Sequence, residues 1–567
     1  MVWVSMNRLA DESFVKRNLP IFTVATSFAI TPKIILDPIN IPKLIVLIIC
    51  SLISFTALLP HLKYYYQEFK ALTLTISIFV FDLVLILLFS SHVSAQQLYG
   101  TFGRNTGLLF YLALALFMLV SAFISNRLTL KRLLRFLILT GLVSGIYGVL
   151  QFNHIDPAGF VSLYKPTIGF LGNPDFFSAF QGLALVASVA SIFSDGLSKT
   201  SRFFTILNSA VIFFSLYLAG AKQGFLVTII GVIALVIFIY WSRNRTIGKG
   251  IFIFALGGIL FVMLGLINKG PLASVIYKTS LEARGYYWEA AWTMTREHPF
   301  FGVGLDNFMF WYRRSRSLEA TIWNPEVDTN AAHNVFLDYS SNGGIPFLIL
   351  NLALCAIVGT AIISRLKSTN GKDLNFFILS SIWIAFQAQS LISINQIGLS
   401  IWGWVIGGLI IGYNKNEKIE SPDTFTGSIK EKKSPKQTST TLIPPSTVLR
   451  VTAAFIVGLL ISLPLWTSAF RYRAALETGK PAIIQSAAYL KPLDLVRMVQ
   501  SARILNENKF SSQGLKISED AVKAFPDSYI AWKNLSGYEA LTAKRKAEVQ
   551  VELNRLDPLN PEHKIVN

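Results

Sequence analysis

Cysteine is nearly missing from this chain: Cys50 and Cys355 are the two in 567 residues, and both sit inside apolar runs. That excludes a disulfide framework and a cysteine metal cluster. Charge is scarce as well. Charged residues make up 15% of the chain against 52% hydrophobic, with a mean hydropathy of +0.50, which is too apolar for a soluble enzyme of this length. Acidic residues fall short of basic ones, 32 against 51, for a net charge of +19. In a soluble protein that excess would point to nucleic acid. Here Lys and Arg gather in short stretches between apolar runs, as membrane proteins require, so no nucleic-acid partner is expected. No cleavable signal peptide is expected either, because residues 1–20 are polar and mixed and the apolar stretch after them reads as a retained span.

What the chain has in quantity is apolar runs long enough to cross a bilayer. They lie near 19–31, 42–60, 71–90, 107–125, 131–152, 174–193, 203–219, 224–241 and 250–268, then near 343–364, 374–393, 396–413 and 449–469. The expected fold is therefore an all-α, polytopic membrane protein with about 12–13 transmembrane helices. The first run is short and flanked by Pro20 and Pro32, which suggests a tilted or re-entrant piece.

The basic residues set an orientation. With the N-terminus in the cytoplasm, alternate connections carry Lys63 and Lys70, then Arg127, Lys131, Arg132 and Arg135, then Lys199 and Arg202, then Arg243, Arg245 and Lys249, then Arg365, Lys367 and Lys372. The opposite connections hold little beyond Lys33, Arg104, Lys165 and Lys222. By the positive-inside rule the N-terminus is expected to be cytoplasmic and the C-terminal tail extracytoplasmic.

The resulting organisation is N-terminal transmembrane helices over 1–268, a long external loop over 269–342, and further spans over 343–413. A disordered cytoplasmic linker over 414–448, a last span over 449–469 and an external tail over 470–567 complete it. The linker is rich in Ser, Thr, Pro, Lys and Glu without apolar periodicity, and its basic runs are expected to be solvated or to touch anionic lipid. In the tail, Pro492, Pro526 and Pro558 recur 34 and 32 residues apart, with Ala531, Trp532 and Ala540 between them. That is the tetratricopeptide period, so the tail reads as about two helical hairpins, too few for an independent solenoid. A plain helical cap on the external loop is the simpler alternative.

The external loop is the one long polar interruption of the apolar body, and it gathers Arg284, Tyr286, Tyr287, Trp288, Trp292, His298 and His333. An external arginine suits an anionic group, which it can grip with two parallel hydrogen bonds. A histidine suits a base that must take a proton from a hydroxyl near neutral pH. The blander readings are a headgroup or carboxylate contact for Arg284 and a satisfied interface histidine for His333. The four aromatics could stack on sugar faces or belt the interface. The His298-Pro-Phe-Phe-Gly302-Val-Gly304 stretch lacks the strand-to-helix context of a phosphate loop and reads as a turn shaping the external loop. Arg313, Arg314 and Arg316 read as a solvated basic cluster. Asp82, inside a span, reads as a helix-packing hydrogen bond or a functional carboxylate.

The order of these motifs resembles the O-antigen ligase and O-antigen polymerase superfamily of bacterial membrane glycosyltransferases, in its subgroup with a C-terminal tetratricopeptide region. The matching stretches are Gly-Thr-Phe-Gly-Arg-Asn-Thr-Gly at 100–107, Gly-Phe-Leu-Gly-Asn-Pro at 169–174, Arg284 to Trp288, the 298–304 stretch, His333-Asn334 and Asn395-Gln396. The resemblance implies a multi-pass location in the plasma (inner) membrane, a glycan donor carried on undecaprenyl diphosphate and transfer at the outer face of that membrane. The acceptor hydroxyl would belong to a lipid, a protein or another glycan. It implies no cofactor, no metal and no nucleotide sugar. It also implies that Arg284 grips the diphosphate and that His333 acts near the acceptor. The family usually carries a Ser-Arg pair at the outer end of a central hairpin, and here that turn reads Ala219-Gly-Ala-Lys222-Gln-Gly. Lys222 could supply the charge but not the two-pronged geometry. Arg104 is a further diphosphate candidate, although a snorkelling interface arginine would look the same. A polymerase of the same superfamily, a bicarbonate-type transporter and a non-catalytic envelope scaffold binding an envelope protein through the repeats are the other readings. Against the transporter, no inverted repeat is visible and few ionisable groups lie at mid-membrane.

Overall fold

The computed structural model describes residues 2–90, 95–160, 167–193, 197–266, 269–276, 279–420 and 443–561. Among them the regular structure is helical throughout, with no strand. A backbone immersed in hydrocarbon must satisfy its own hydrogen bonds, and helices do so within one segment. Among the described residues ten helices are long and apolar enough to cross a membrane, and the shorter Leu108–Ile124 is also apolar. The chain is a polytopic membrane protein. The outermost of the ten, Arg245–Leu266, carries Phe254 at 84% exposure and Ile253 at 67%, a surface that only lipid tolerates. The expected first span does not stand alone: it is the end of one helix, Val2–Phe28, that runs through Pro20.

The centre of the body is the pair Leu108–Ile124 and Ile397–Glu420. Between helices in lipid there is little hydrophobic drive, so association depends on close packing of small residues. Gly408 and Gly412, one turn apart, do this. A side chain at either would land on the Met118 or Ala122 carbonyl oxygen of the neighbouring helix. The buried Trp402 donates to Ser27 Oγ at 2.8 Å, and Ser27 Oγ donates to the Gly398 carbonyl at 2.7 Å, which ties the end of the first helix to this core.

The region expected as a long loop is largely helical: Thr279–Glu297, Phe308–Ser315, Leu318–Trp323 and the start of Val335–Thr369. The last of these breaks direction at Gly344, whose φ of 80° and ψ of 178° are open to glycine alone. The kink leaves the Ser341 carbonyl without its usual donor, and Pro346 has no N–H to give the Asn342 carbonyl. The 298–304 turn fills both vacancies. Val303 N donates to Ser341 O at 2.8 Å and Gly304 N to Asn342 O at 3.0 Å, while Ile345 N donates to Pro299 O at 2.7 Å. The glycines of the turn thus serve a shaping role.

Two expectations need correcting. Helix Ile397–Glu420 runs on into the segment assigned to the linker, because its Asn416 side chain still finds the Ser125 carbonyl at 2.9 Å; residues 421–442 of that segment lie outside the described residues. The arginines 313, 314 and 316 are not a solvated cluster. Arg313 and Arg316 are 3% and 2% exposed, and both bind the fully buried Asp557 of the tail. Arg316 Nη2 reaches its two oxygens at 2.8 and 2.7 Å, and Arg313 Nη1 reaches Oδ2 at 3.0 Å. Arg313 also stacks over Tyr529 at 4.1 Å, and Arg314 holds Asp527 at 3.2 Å. The tail itself is the helices Pro481–Ala487, Leu495–Glu507, Ser511–Ala524, Tyr529–Ser536 and Ala543–Leu556 around a small core including Met498, Ile517, Trp532 and Leu553.

Candidate functional site

His333 is held by its neighbours on both sides. On one side Ala332 N donates to Asp338 Oδ1 at 2.7 Å. On the other, Asn334 caps helix Val335–Thr369, its Oδ1 accepting from Phe336 N at 3.0 Å and Leu337 N at 3.2 Å. Between these anchors the chain must turn sharply, and His333 takes a left-handed φ of 55° to do it. Such backbone is costly for a residue with a side chain and is found where the surroundings dictate it. The Asn of the His-Asn pair is therefore a helix cap, and the cap aims the His.

The imidazole faces Tyr287 at 5.8 Å between ring centroids. Burial lowers its pKa to about 4, and the charges of Arg284 and Arg104 push in the same direction. At neutral pH it is uncharged. Arg284 lies half-buried on helix Thr279–Glu297, three residues before Tyr287. Burial lowers the Arg284 pKa, while the Asp175 carboxylate opposes that loss of charge. Asp175 stands in the first turn of helix Pro174–Ile192, which Asn173 caps with a hydrogen bond from Asp175 N at 2.8 Å. The stretch at 169–174 thereby delivers an acid to the arginine.

Arg104 arrives from a third direction. The 100–107 loop is pinned to Asp306: Thr101 N donates to Asp306 Oδ2 at 2.7 Å and Thr106 N to the same oxygen at 3.3 Å. Arg104 is 8% exposed, donates through Nη1 to Asn330 O at 3.1 Å and Oδ1 at 3.0 Å, and lies 4.0 Å from Asp306 through Nε. Its Nε makes no hydrogen bond. Three stretches that are distant in sequence thus place two guanidinium groups around one neutral imidazole, a setting suited to a dianion beside a proton acceptor.

Lys222 is apart from this cluster. It is exposed at the head of helix Lys222–Arg243 and is not among the groups that act on His333 or Arg284. Its helix does press against Pro174–Ile192, since a side chain at Gly224 would strike the Ser178 carbonyl. It therefore shares the end of the molecule that carries Asp175. Asn395 takes a supporting place, its Nδ2 donating to Tyr111 Oη at 3.4 Å and its Oδ1 accepting from Ser400 Oγ at 3.2 Å. Asp82 is 6% exposed, and its Oδ2 makes no hydrogen bond.

Asp175, Asp306, Asn330 and Asp338 belong to the cluster, and the last three carry no motif signal of their own. Asp175 had a usable one, because an acid just past an Asn-Pro helix start favours the first turn. Of the aromatics, Tyr287 faces the histidine, Tyr286 packs on Trp323 at 5.5 Å, and Trp292 is 60% exposed. Trp288 keeps a buried indole N–H with no partner. Among the described residues no group of three or more His, Cys, Asp or Glu is placed to hold a metal ion.

The family model described as O-antigen ligase matches residues 207–352. The match runs from the helix before Lys222 past the Gly344 kink, and so takes in Arg284, the 298–304 turn and His333, but not Arg104. No curated protein matches the chain. Over residues 207–352, about a quarter of its length, the chain is similar to the O-antigen ligase family.

Proposed function

We propose that this protein moves a glycan from undecaprenyl diphosphate to an acceptor hydroxyl at the outer face of the plasma membrane. The observation that carries the reading is the convergence of Arg284 and Arg104 on a His333 that is neutral at physiological pH. In the proposed step the acceptor oxygen attacks the sugar carbon that bears the diphosphate. The bond from that carbon to the diphosphate oxygen breaks, and the lipid diphosphate leaves with the electron pair. The acceptor proton passes to His333, and Arg284 with Arg104 meets the charge that builds on the leaving group. The dianion offsets the field of the two arginines, so donor binding raises the His333 pKa towards its ordinary range and makes it a stronger base when the acceptor arrives. Lys222, exposed at the same end, stands as an outer contact for the donor. Trp288 and Trp292 are the sugar-facing surface.

Ligase and polymerase action share this chemistry and differ in the acceptor alone. The test is glycan transfer in intact cells, comparing wild type with Arg284→Ala and His333→Ala at matched expression and insertion. Each variant should lose transfer by at least ~100-fold, in the range of a lost electrostatic or general-base group, while lipid-linked glycan accumulates. Transfer that persists in both variants would sink the proposal. Arg284→Lys should recover little, since an ammonium cannot form the paired contact.

A further inference from the structure

At the end of the body opposite the candidate site lies a groove of about 1150 Å³ between helices Arg127–Phe152 and Lys199–Ala219 and the turn at 365–375. Its mouth carries Arg127, Lys131, Arg135, Arg365 and Lys372. Among the described lining residues the one carboxylate is Asp373, and Arg365 holds it at 2.6 Å. The wall is apolar, formed by Leu134, Ile138, Leu142, Leu207 and Val211 with Ile146 at the deep end. From Leu134 to Ile146 an α-helix rises about 18 Å, close to the ~15 Å depth of one leaflet. The opposition of the two ends is visible along single helices. Helix Val335–Thr369 begins beside His333 and ends at the groove with Arg365 and Thr369, and helix Pro174–Ile192 begins with Asp175 and ends with Ser191 in the groove wall.

We propose that this groove is a binding site for an anionic phospholipid, with the phosphate among Lys131, Arg135 and Lys372 and an acyl chain along the Leu134–Ile146 wall. Charge decides the class of occupant. Among the described lining residues, five cations against a single committed carboxylate attract a phosphodiester that carries net negative charge, and basic pockets between membrane helices bind such headgroups. Depth decides between a lipid and a free anion, because inorganic phosphate would leave the apolar wall unfilled. The site is separate from the glycosyl-transfer reading and does not depend on it.

The test uses the full-length chain extracted in mild detergent from membranes containing both phosphatidylglycerol and phosphatidylethanolamine, with retained lipids counted by native mass spectrometry. The wild type should hold phosphatidylglycerol several-fold over its share of the membrane. Lys131→Gln/Arg135→Gln/Lys372→Gln should lose that enrichment, and so should Leu142→Trp/Val211→Trp, which keeps every charge and fills the wall. The second variant stands on its own if the first inserts poorly. Equal retention of phosphatidylglycerol in wild type and the tryptophan variant overturns the proposal, as does equal retention of the zwitterionic lipid by the wild type. Displacement of the lipid by millimolar inorganic phosphate would show that the groove takes a free anion, and would overturn it too.

Discussion

At the scale of the residue, His333 sets the terms. Its pKa of about 4 has two sources, burial first and then the charges of Arg284 and Arg104. The second source can be altered without touching the imidazole. Arg104→Gln removes one neighbouring cation and should raise the His333 pKa towards 6.5, so the acid limb of transfer should move to higher pH. A pH profile of transfer in proteoliposomes reads this directly; an unmoved limb would mean that Arg104 does not act on His333. The same shift links to stability. The unfolded chain takes up this proton at a higher pH than the folded one, so folding should weaken as pH falls from about 6.5 towards about 4 and be indifferent above that window. On the proposed reading Arg284 is the less replaceable of the two arginines, since Asp175 acts on it only through its charge, whereas Arg104 already spends one nitrogen on Asn330.

At the scale of the element, the tail and the helices of 308–323 act as one unit. Helix Phe308–Ser315 carries Arg313 and leads straight to Arg316, and both end on Asp557 beyond the last tail helix. Asp557 also accepts from Asn560 Nδ2 at 3.2 Å, so its oxygens are fully occupied. Removing one partner of a buried ion pair costs about 3–5 kcal/mol, since the other charge stays buried and uncompensated. Asp557→Ala should therefore loosen the tail from those helices by an amount in that range. Limited proteolysis within 470–561 should become much faster, and transfer should fall although Asp557 touches no site residue. Asp557→Asn keeps part of the hydrogen bonding and should fall between. Unchanged proteolysis in Asp557→Ala would show that Arg313 retains its anchor through Asp328, 2.7 Å from its Nε.

At the scale of the whole molecule, function depends on which face carries the cluster. The groove end holds Arg127, Lys131, Arg135, Arg365 and Lys372, and the site end does not match that density. By the positive-inside rule the groove is expected in the cytoplasm and His333 outside. Single cysteines introduced at the exposed Lys480 and Lys372, in a background with Cys50 and Cys355 replaced, should report this. A membrane-impermeant maleimide added to intact cells should label position 480 and spare 372 until the membrane is opened; the reverse pattern would place the cluster inside and remove the basis for transfer at the outer face.

Much of this was legible in the sequence, and the reason is local. Apolar runs of membrane length mark helices whether or not their partners are known, because the bilayer imposes the same demand on each one separately. Asn173-Pro174 and Asn334 mark helix starts by capping chemistry that operates within three residues. Arg284 and His333 stood out as polar groups in the one long external segment. What the sequence could not decide was pairing. Nothing in the composition of Arg313-Arg314-Ser315-Arg316 distinguishes a solvated cluster from a buried clamp, since the carboxylate that decides it lies 241 residues away. Likewise Arg104 meets Asp306 and Asn330 through contacts more than 200 residues apart in the chain, with the 298–304 turn bound to the carbonyls at the Gly344 kink and Asp306 pinned to the 100–107 loop. Local chemistry determined the elements, and long-range satisfaction of backbone and charge determined which side chains meet.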